Sequence, residues 1–218
     1  MSGLEVPELH VEGTDDQHTI VHLLERHGVD MRDGVRPIRI IQATSVDRLL
    51  DQAPAAIKAA TSRPVGFVLD IDIAVQDRWE SVCRCLRKAD VDCPAQCPVE
   101  GFIGRRKGYP SSVGVWLMPD CSSDRTKLED LLKTLIPEND KLWPHAQKST
   151  EEATKIGAPF RDVDRDKAEL HCWLAWQRDP GCPYGTAIKA RFFEHDSDQA
   201  MAFLHWLRTL FGIEFGVA

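Results

Sequence analysis

Residues 65–72 read Val-Gly-Phe-Val-Leu-Asp-Ile-Asp, apolar without a break until the two aspartates at the end. So continuous a run suits a strand covered on both faces, and strands of that kind belong to parallel sheets. Two shorter runs fit beside it. Leu9-His10-Val11 ends in Glu12-Gly13, and Ile38-Arg39-Ile40-Ile41-Gln42-Ala43 is β-branched and bounded by Pro37. Between them, Ile20, Val21, Leu23, Leu24 and His27 make one helical face, with Asp15 or Asp16 as cap and Gly28 as stop. Ser45 caps a second helix carrying Val46, Leu49, Leu50, Ala53 and Ile57, and a third runs from about Val75 to Lys88. This alternation predicts an α/β fold with right-handed crossovers.

The pattern changes after a Cys/Pro-rich stretch, residues 90–98. Residues 101–104 and 112–118 read as two strands flanking a basic loop, Arg105-Arg106-Lys107-Gly108-Tyr109. Beyond Pro119-Asp120 the expected elements are helices, over residues 127–136, 141–156, 164–177 and 197–211. The expected organisation is an α/β core over residues 1–136 and a helical C-terminal extension, residues 137–218, packed on it.

With 218 residues, 43% of them hydrophobic, the chain can bury a sizeable core, which rules out disorder as its main state. Its 27 Lys+Arg against 34 Asp+Glu give a net charge of −7, which argues against coating nucleic acid by charge alone. No apolar run approaches the roughly 18–20 residues of a membrane span. The amino terminus lacks the basic and apolar pattern of a signal peptide, so a cytoplasmic location is expected. Seven cysteines, an odd number, then read as reduced thiols.

Ligands of parallel α/β sheets bind beyond the carboxyl ends of the strands, where the notable acids fall. Glu12 ends the first strand, and Gly13 after it is expected to allow a sharp turn toward a ligand. Asp70 and Asp72, two apart, share a face while strand geometry lasts. Asp120 ends the last strand, and Glu129 and Asp130 begin the next helix. Converging carboxylates repel unless a cation sits among them, and Mg²⁺ or Mn²⁺ prefers such oxygen ligands. The plainer reading of each acid alone is a helix cap or a solvated strand end.

Val11-Glu12-Gly13-Thr14-Asp15-Asp16 followed by Val68-Leu69-Asp70-Ile71-Asp72 resembles the TOPRIM domain of topoisomerases, primases and related nucleases. Trp116-Leu117-Met118-Pro119-Asp120, Leu128-Glu129-Asp130-Leu131-Leu132, Asp166-Lys167-Ala168 and Trp173-Leu174-Ala175-Trp176 resemble a TOPRIM-like group of bacterial proteins of unknown function. The resemblance implies a Rossmann-like, mainly parallel sheet flanked by helices. It implies Glu12 as a general acid/base or metal ligand, and Asp70 and Asp72 as the metal pair. Asp16, Asp120 and Glu129 are implied as further ligands of Mg²⁺ or Mn²⁺. Lys167 resembles a basic residue of the overcoming-lysogenization-defect nucleases, where its charge would steady a phosphoryl oxygen. The plainer reading of Lys167 is a solvated helix charge. No strand-passage tyrosine, zinc ribbon or phosphate-binding loop accompanies these motifs, which sets the chain apart from topoisomerases and self-contained primases.

Other groups compete for attention. Arg105, Arg106 and Lys107 with Tyr109 suit a phosphate backbone, or simply a solvated hairpin tip. Cys83-x-Cys85 and Cys93-x-x-x-Cys97 are poorly spaced for zinc, and free thiols at a helix end suit them better. His18 and His22 lack a third ligand. Trp173 and Trp176 read as helix packing, and Phe203, Trp206 and Phe211 as a helix docked on the core or an oligomer surface. The leading functional expectation is metal-dependent phosphodiester hydrolysis, a nuclease acting on DNA or RNA. The alternatives are a non-catalytic nucleotide- or metal-binding regulatory subunit of a separate ATPase, with phage defence as its setting, and hydrolysis of a small phosphorylated molecule.

Overall fold

A computed structural model describes residues 6–121 and 127–216. The elements are β1 (Glu8–Val11), α1 (Thr14–Arg26), β2 (Arg39–Gln42), α2 (Val46–Ala59), β3 (Val65–Asp70), α3 (Val75–Lys88), β4 (Phe102–Arg105) and β5 (Ser112–Met118). They continue with α4 (Leu128–Thr134), α5 (Leu142–Lys155), α6 (Arg165–Leu174), α7 (Tyr184–Lys189) and α8 (Asp198–Phe211). The strands form one sheet in the order β2-β1-β3-β5-β4. All neighbours are parallel except β4, which runs antiparallel to β5 at the edge. The expected α/β architecture, a mostly parallel sheet flanked by helices, is therefore present.

Local chemistry accounts for the helices. Ser45 accepts the Arg48 N–H at 3.3 Å and opens α2, whose Leu49, Ala53 and Ile57 are buried four residues apart. One face of the sheet packs on α2 and α3, where Leu49, Ala53, Val82 and Leu86 meet Phe67, Leu69 and Val115. The other face receives α8. Gly66 and Gly114 are register partners on β3 and β5, and the helix comes down directly on them. A Cβ on Gly66 would lie 2.9 Å from Leu210, and one on Gly114 would lie 2.8 Å from Trp206. Trp206 also packs against Trp116 of β5 with the rings tilted and their centroids 5.8 Å apart. The C-terminal helices and the sheet share one continuous core.

Four details differ from the sequence reading. The strand β3 ends at Asp70, and Asp72 adopts a left-handed backbone with φ 53°, so the two aspartates do not share a strand face. Gly13 is extended (φ −142°, ψ −173°), a conformation open to any residue, and serves as N-cap of α1 rather than as a sharp turn. Cys83 and Cys93 form a disulfide, Cα atoms 5.9 Å apart, which ties α3 to the segment after it and corrects the expectation of seven free thiols. Helix α7, six residues after Pro183, was not foreseen because it is too short to show a periodic face.

Candidate metal centre

Three of the expected carboxylates meet at the carboxyl ends of β1 and β3, and each is held in the same way. Glu12 Oε1 accepts the Asp70 N–H at 2.8 Å. Asp16 Oδ2 accepts the Gly13 N–H at 2.9 Å, closing the first turn of α1. Asp70 Oδ1 accepts the Leu128 N–H at 3.1 Å, fixing the start of α4 to the end of β3. One oxygen of each carboxylate is thus committed to a backbone N–H. Pre-oriented carboxylates are what a hard cation requires.

These residues line an open cavity of about 440 Å³ together with Thr14, Asp15, Ser45, Glu129 and Lys167. Burial pushes the Glu12 carboxyl up to about 7, against the pull of the Asp70 N–H, and the charges of Asp16 and Asp72 add to the rise. Burial likewise lifts Asp16 to about 6. Asp70 is held well above the usual carboxylate range by burial and by the charges of Asp16, Glu12, Asp72 and Glu129. The cluster is electrostatically starved of positive charge, with Lys167 the one cation among the described lining residues.

The remaining expected residues divide. Glu129, in the first turn of α4, and Lys167, on α6, both face the cavity. Asp72 does not line it. Its carboxylate, 39% exposed, pairs with the buried Arg78 at 3.6 Å, while Arg78 Nε donates to the Ile71 carbonyl at 3.1 Å. Asp120 follows the cis Met118–Pro119 bond past β5 and is not among the lining residues. Asp130 pairs with Lys133 at 2.8 Å, a structural contact.

The basic loop is at the wrong end for the site. Arg105 is paired with Ser112, the first residue of β5, so the loop sits by the amino ends of the parallel strands. Seven residues of β5 separate the two rims, about 20 Å of strand. Arg106 lies over the Tyr109 ring at 4.0 Å and donates to the Lys58 carbonyl at 3.3 Å, while Lys107 pairs with Asp92 at 3.0 Å. The loop is the tip of a β4–β5 hairpin, at the rim opposite the acidic cavity.

Sequence reasoning passed over two neighbours of the cavity. His171 stands one helical turn after Lys167 on α6 and stacks on Tyr184 of α7, ring centroids 5.1 Å apart. Tyr184 is 1% exposed, its hydroxyl has no hydrogen-bond partner among the described residues, and burial with the charges of Glu129 and Asp15 pushes it up. The i, i+4 spacing of Lys167 and His171 was the available signal for the first; nothing in the sequence marked the second.

Glu194, His195 and Asp196 have ligand atoms within 4.8 Å of one another, the one such group of three among the described residues. The Arg26 guanidinium is bonded to His195 Nδ1 at 2.8 Å, which places a fixed positive charge where a cation would sit. Glu12, Asp16 and Asp70 do not form a group that close.

A mostly parallel five-stranded α/β sheet with a carboxylate-lined cavity at its carboxyl rim is the class of protein these features define. The chain belongs to the family described as Protein of unknown function (DUF3226), whose model matches residues 7–212. No curated protein and no solved structure matches it. No described helix is long and apolar enough to cross a membrane.

Proposed function

We propose that this chain is a TOPRIM-like, Mg²⁺- or Mn²⁺-dependent enzyme that hydrolyses phosphodiesters. The observation that carries the reading is the shared pattern of Glu12, Asp16 and Asp70, each with one oxygen tied to a backbone N–H and all lining one cavity. All-oxygen donors of this kind fit Mg²⁺ or Mn²⁺, with water completing the shell. A divalent ion would supply Lewis-acid stabilisation of the phosphoryl oxygens when bound. Asp70 and Asp16 would hold it, with Glu129 on the facing helix. Glu12, tied to the Asp70 N–H beside the two ligands, is placed to exchange a proton with the attacking water. Lys167 supplies the counter-charge for the phosphate on the open side of the cavity.

The placement of Arg105, Arg106 and Lys107 on the far rim favours a second reading of the substrate. A small phosphorylated molecule needs no basic groove, and Lys167 alone would meet it. A non-catalytic subunit of a separate ATPase would use the same metal site without turnover.

The test is calorimetric titration with Mn²⁺ and Mg²⁺ of wild type and Asp70→Asn, followed by cleavage assays on single-stranded DNA, RNA and a chromogenic phosphodiester. Asparagine keeps the acceptor for the Leu128 N–H, so the fold is retained. Wild-type binding that drops more than about 10-fold in the variant, with cleavage lost, is the expected result. Equal binding in both proteins sinks the metal centre, and metal binding without cleavage of any ester leaves the ATPase-subunit reading.

A further inference from the structure

Helix α7 is pressed against α1. A Cβ on Gly185 would lie 2.6 Å from the His18 Cβ and 2.9 Å from the His18 carbonyl oxygen, an approach that leaves no room for a side chain. His18 stands three residues after Asp15, so α7 meets the helix face that carries an acid of the cavity wall. Tyr184, next to Gly185 in the chain, is fixed there. It is 1% exposed, and the His171 ring of α6 stacks on it at an interplanar angle of 23°.

The hydroxyl at the end of that ring is the unusual part. It is buried and has no hydrogen-bond partner among the described residues. A buried phenol O–H without an acceptor costs stability that a phenylalanine would not lose. Such a group points to an acceptor supplied in another state of the molecule, or to a trapped water. Of the charges that bear on it, that of Glu129 is the larger and that of Asp15 the smaller, and both residues line the acidic cavity. Glu12, Asp16 and Asp70 each already take a backbone N–H. A donor for Glu129, half-buried in the first turn of α4, is what the Tyr184 hydroxyl adds.

We propose that Tyr184 is a positioning residue of the acidic cavity, its hydroxyl donating to the Glu129 carboxylate when the cavity holds a divalent cation, a role that rests on the metal centre proposed above. Without a cation, Glu129 is under the charges of Asp16 and Asp70, and a hydrogen bond from a buried phenol does not offset drawing it further in. With a cation present that repulsion is cancelled, and a charge-assisted bond from phenol to carboxylate becomes favourable. The hydroxyl then orients one oxygen of Glu129, as backbone N–H groups already orient its three neighbours.

Tyr184→Phe keeps the ring and its stack on His171 and removes only the hydroxyl. Thermal melts in chelator and calorimetric titration with Mn²⁺, both on the full chain, are the measurements. The variant is expected to be at least as stable as wild type in chelator, yet to bind Mn²⁺ roughly 10-fold more weakly. In a Glu129→Ala background the same substitution should change Mn²⁺ affinity no further. Tyr109 and Tyr184 are the chain's two tyrosines, so the phenol C–O stretch gives a direct readout in infrared difference spectra. Mn²⁺ should shift that band in wild type and not in Tyr184→Phe. Lower stability of Tyr184→Phe in chelator overturns the assignment, since the hydroxyl then has its partner in the metal-free fold. Additive effects of Tyr184→Phe and Glu129→Ala on affinity overturn it too. Wild type that binds Mn²⁺ no better than Tyr184→Phe overturns this role alone, whereas wild type that binds no Mn²⁺ overturns the metal centre with it.

Discussion

The Glu12 carboxylate accepts the backbone N–H of Asp70 at 2.8 Å, so the acid that ends one strand is positioned by the acid that ends its neighbour. The contact follows from register. Parallel pairing sets His10 opposite Phe67, and two more residues along β1 bring Glu12 to the end of β3. Because the donor is backbone, the geometry survives changes in the Asp70 side chain. The two residues can therefore be altered one at a time.

Glu12→Gln keeps an oxygen for the Asp70 N–H and removes a charge that burial disfavours. In chelator at pH 8 the variant is expected to be more stable than wild type, by on the order of 1 kcal/mol, and to bind Mn²⁺ more weakly. At pH 4, where Glu12 is largely protonated in the folded and the unfolded chain alike, the stability difference should nearly vanish. Thermal melts at the two pH values check this, and a variant less stable than wild type at pH 8 counts against it.

The metal-free protein should lose stability as the pH rises toward neutrality. Glu12 and Asp16 bind their protons more tightly folded, at about 7 and about 6, than as free side chains at 4.5 and 3.8. The folded state thus carries more protons than the unfolded chain across that interval. Their stabilising contribution is complete below about pH 4 and gone above about pH 7, a change on the order of a few kcal/mol. Melting temperatures in chelator at pH 5, 6 and 7 should fall in that order, and saturating Mg²⁺ at pH 7 should restore the loss. A flat series would mean that the carboxylates titrate normally.

Gly114→Ala should destabilise the protein by about 1–3 kcal/mol, because the new methyl group meets Trp206 and Leu210 of α8 with no room to move aside. Chemical denaturation measures this directly. Trp206→Phe in the same background should recover part of the loss, whereas an effect unrelated to α8 would be indifferent to it.

How far the sequence reveals this molecule depends on the range of the interaction involved. The strands of the parallel sheet and the long helices were legible because burial on one or two faces writes a period into the chain. Glu12 and Asp70 were legible because strand ends are visible as the place where apolar residues stop, whereas Asp16, in the first turn of α1, was marked only by the resemblance to TOPRIM domains. Asp72 was misplaced on the strand face because its left-handed turn depends on the ion pair with Arg78, six residues on. The rim on which Arg105, Arg106 and Lys107 lie depended on β5 running parallel to β3, a long-range pairing that no local pattern encodes.

The seat of α8 on Gly66 and Gly114 also fixes an order of events in the making of the protein. The central strands are complete once residue 118 has been added, but one of their faces stays bare until residues 198–211 follow. At the roughly 5–20 residues per second of synthesis, that interval lasts on the order of several seconds. Throughout it the acidic rim is already spelled out in the nascent chain while the layer that would hold its strands still does not yet exist.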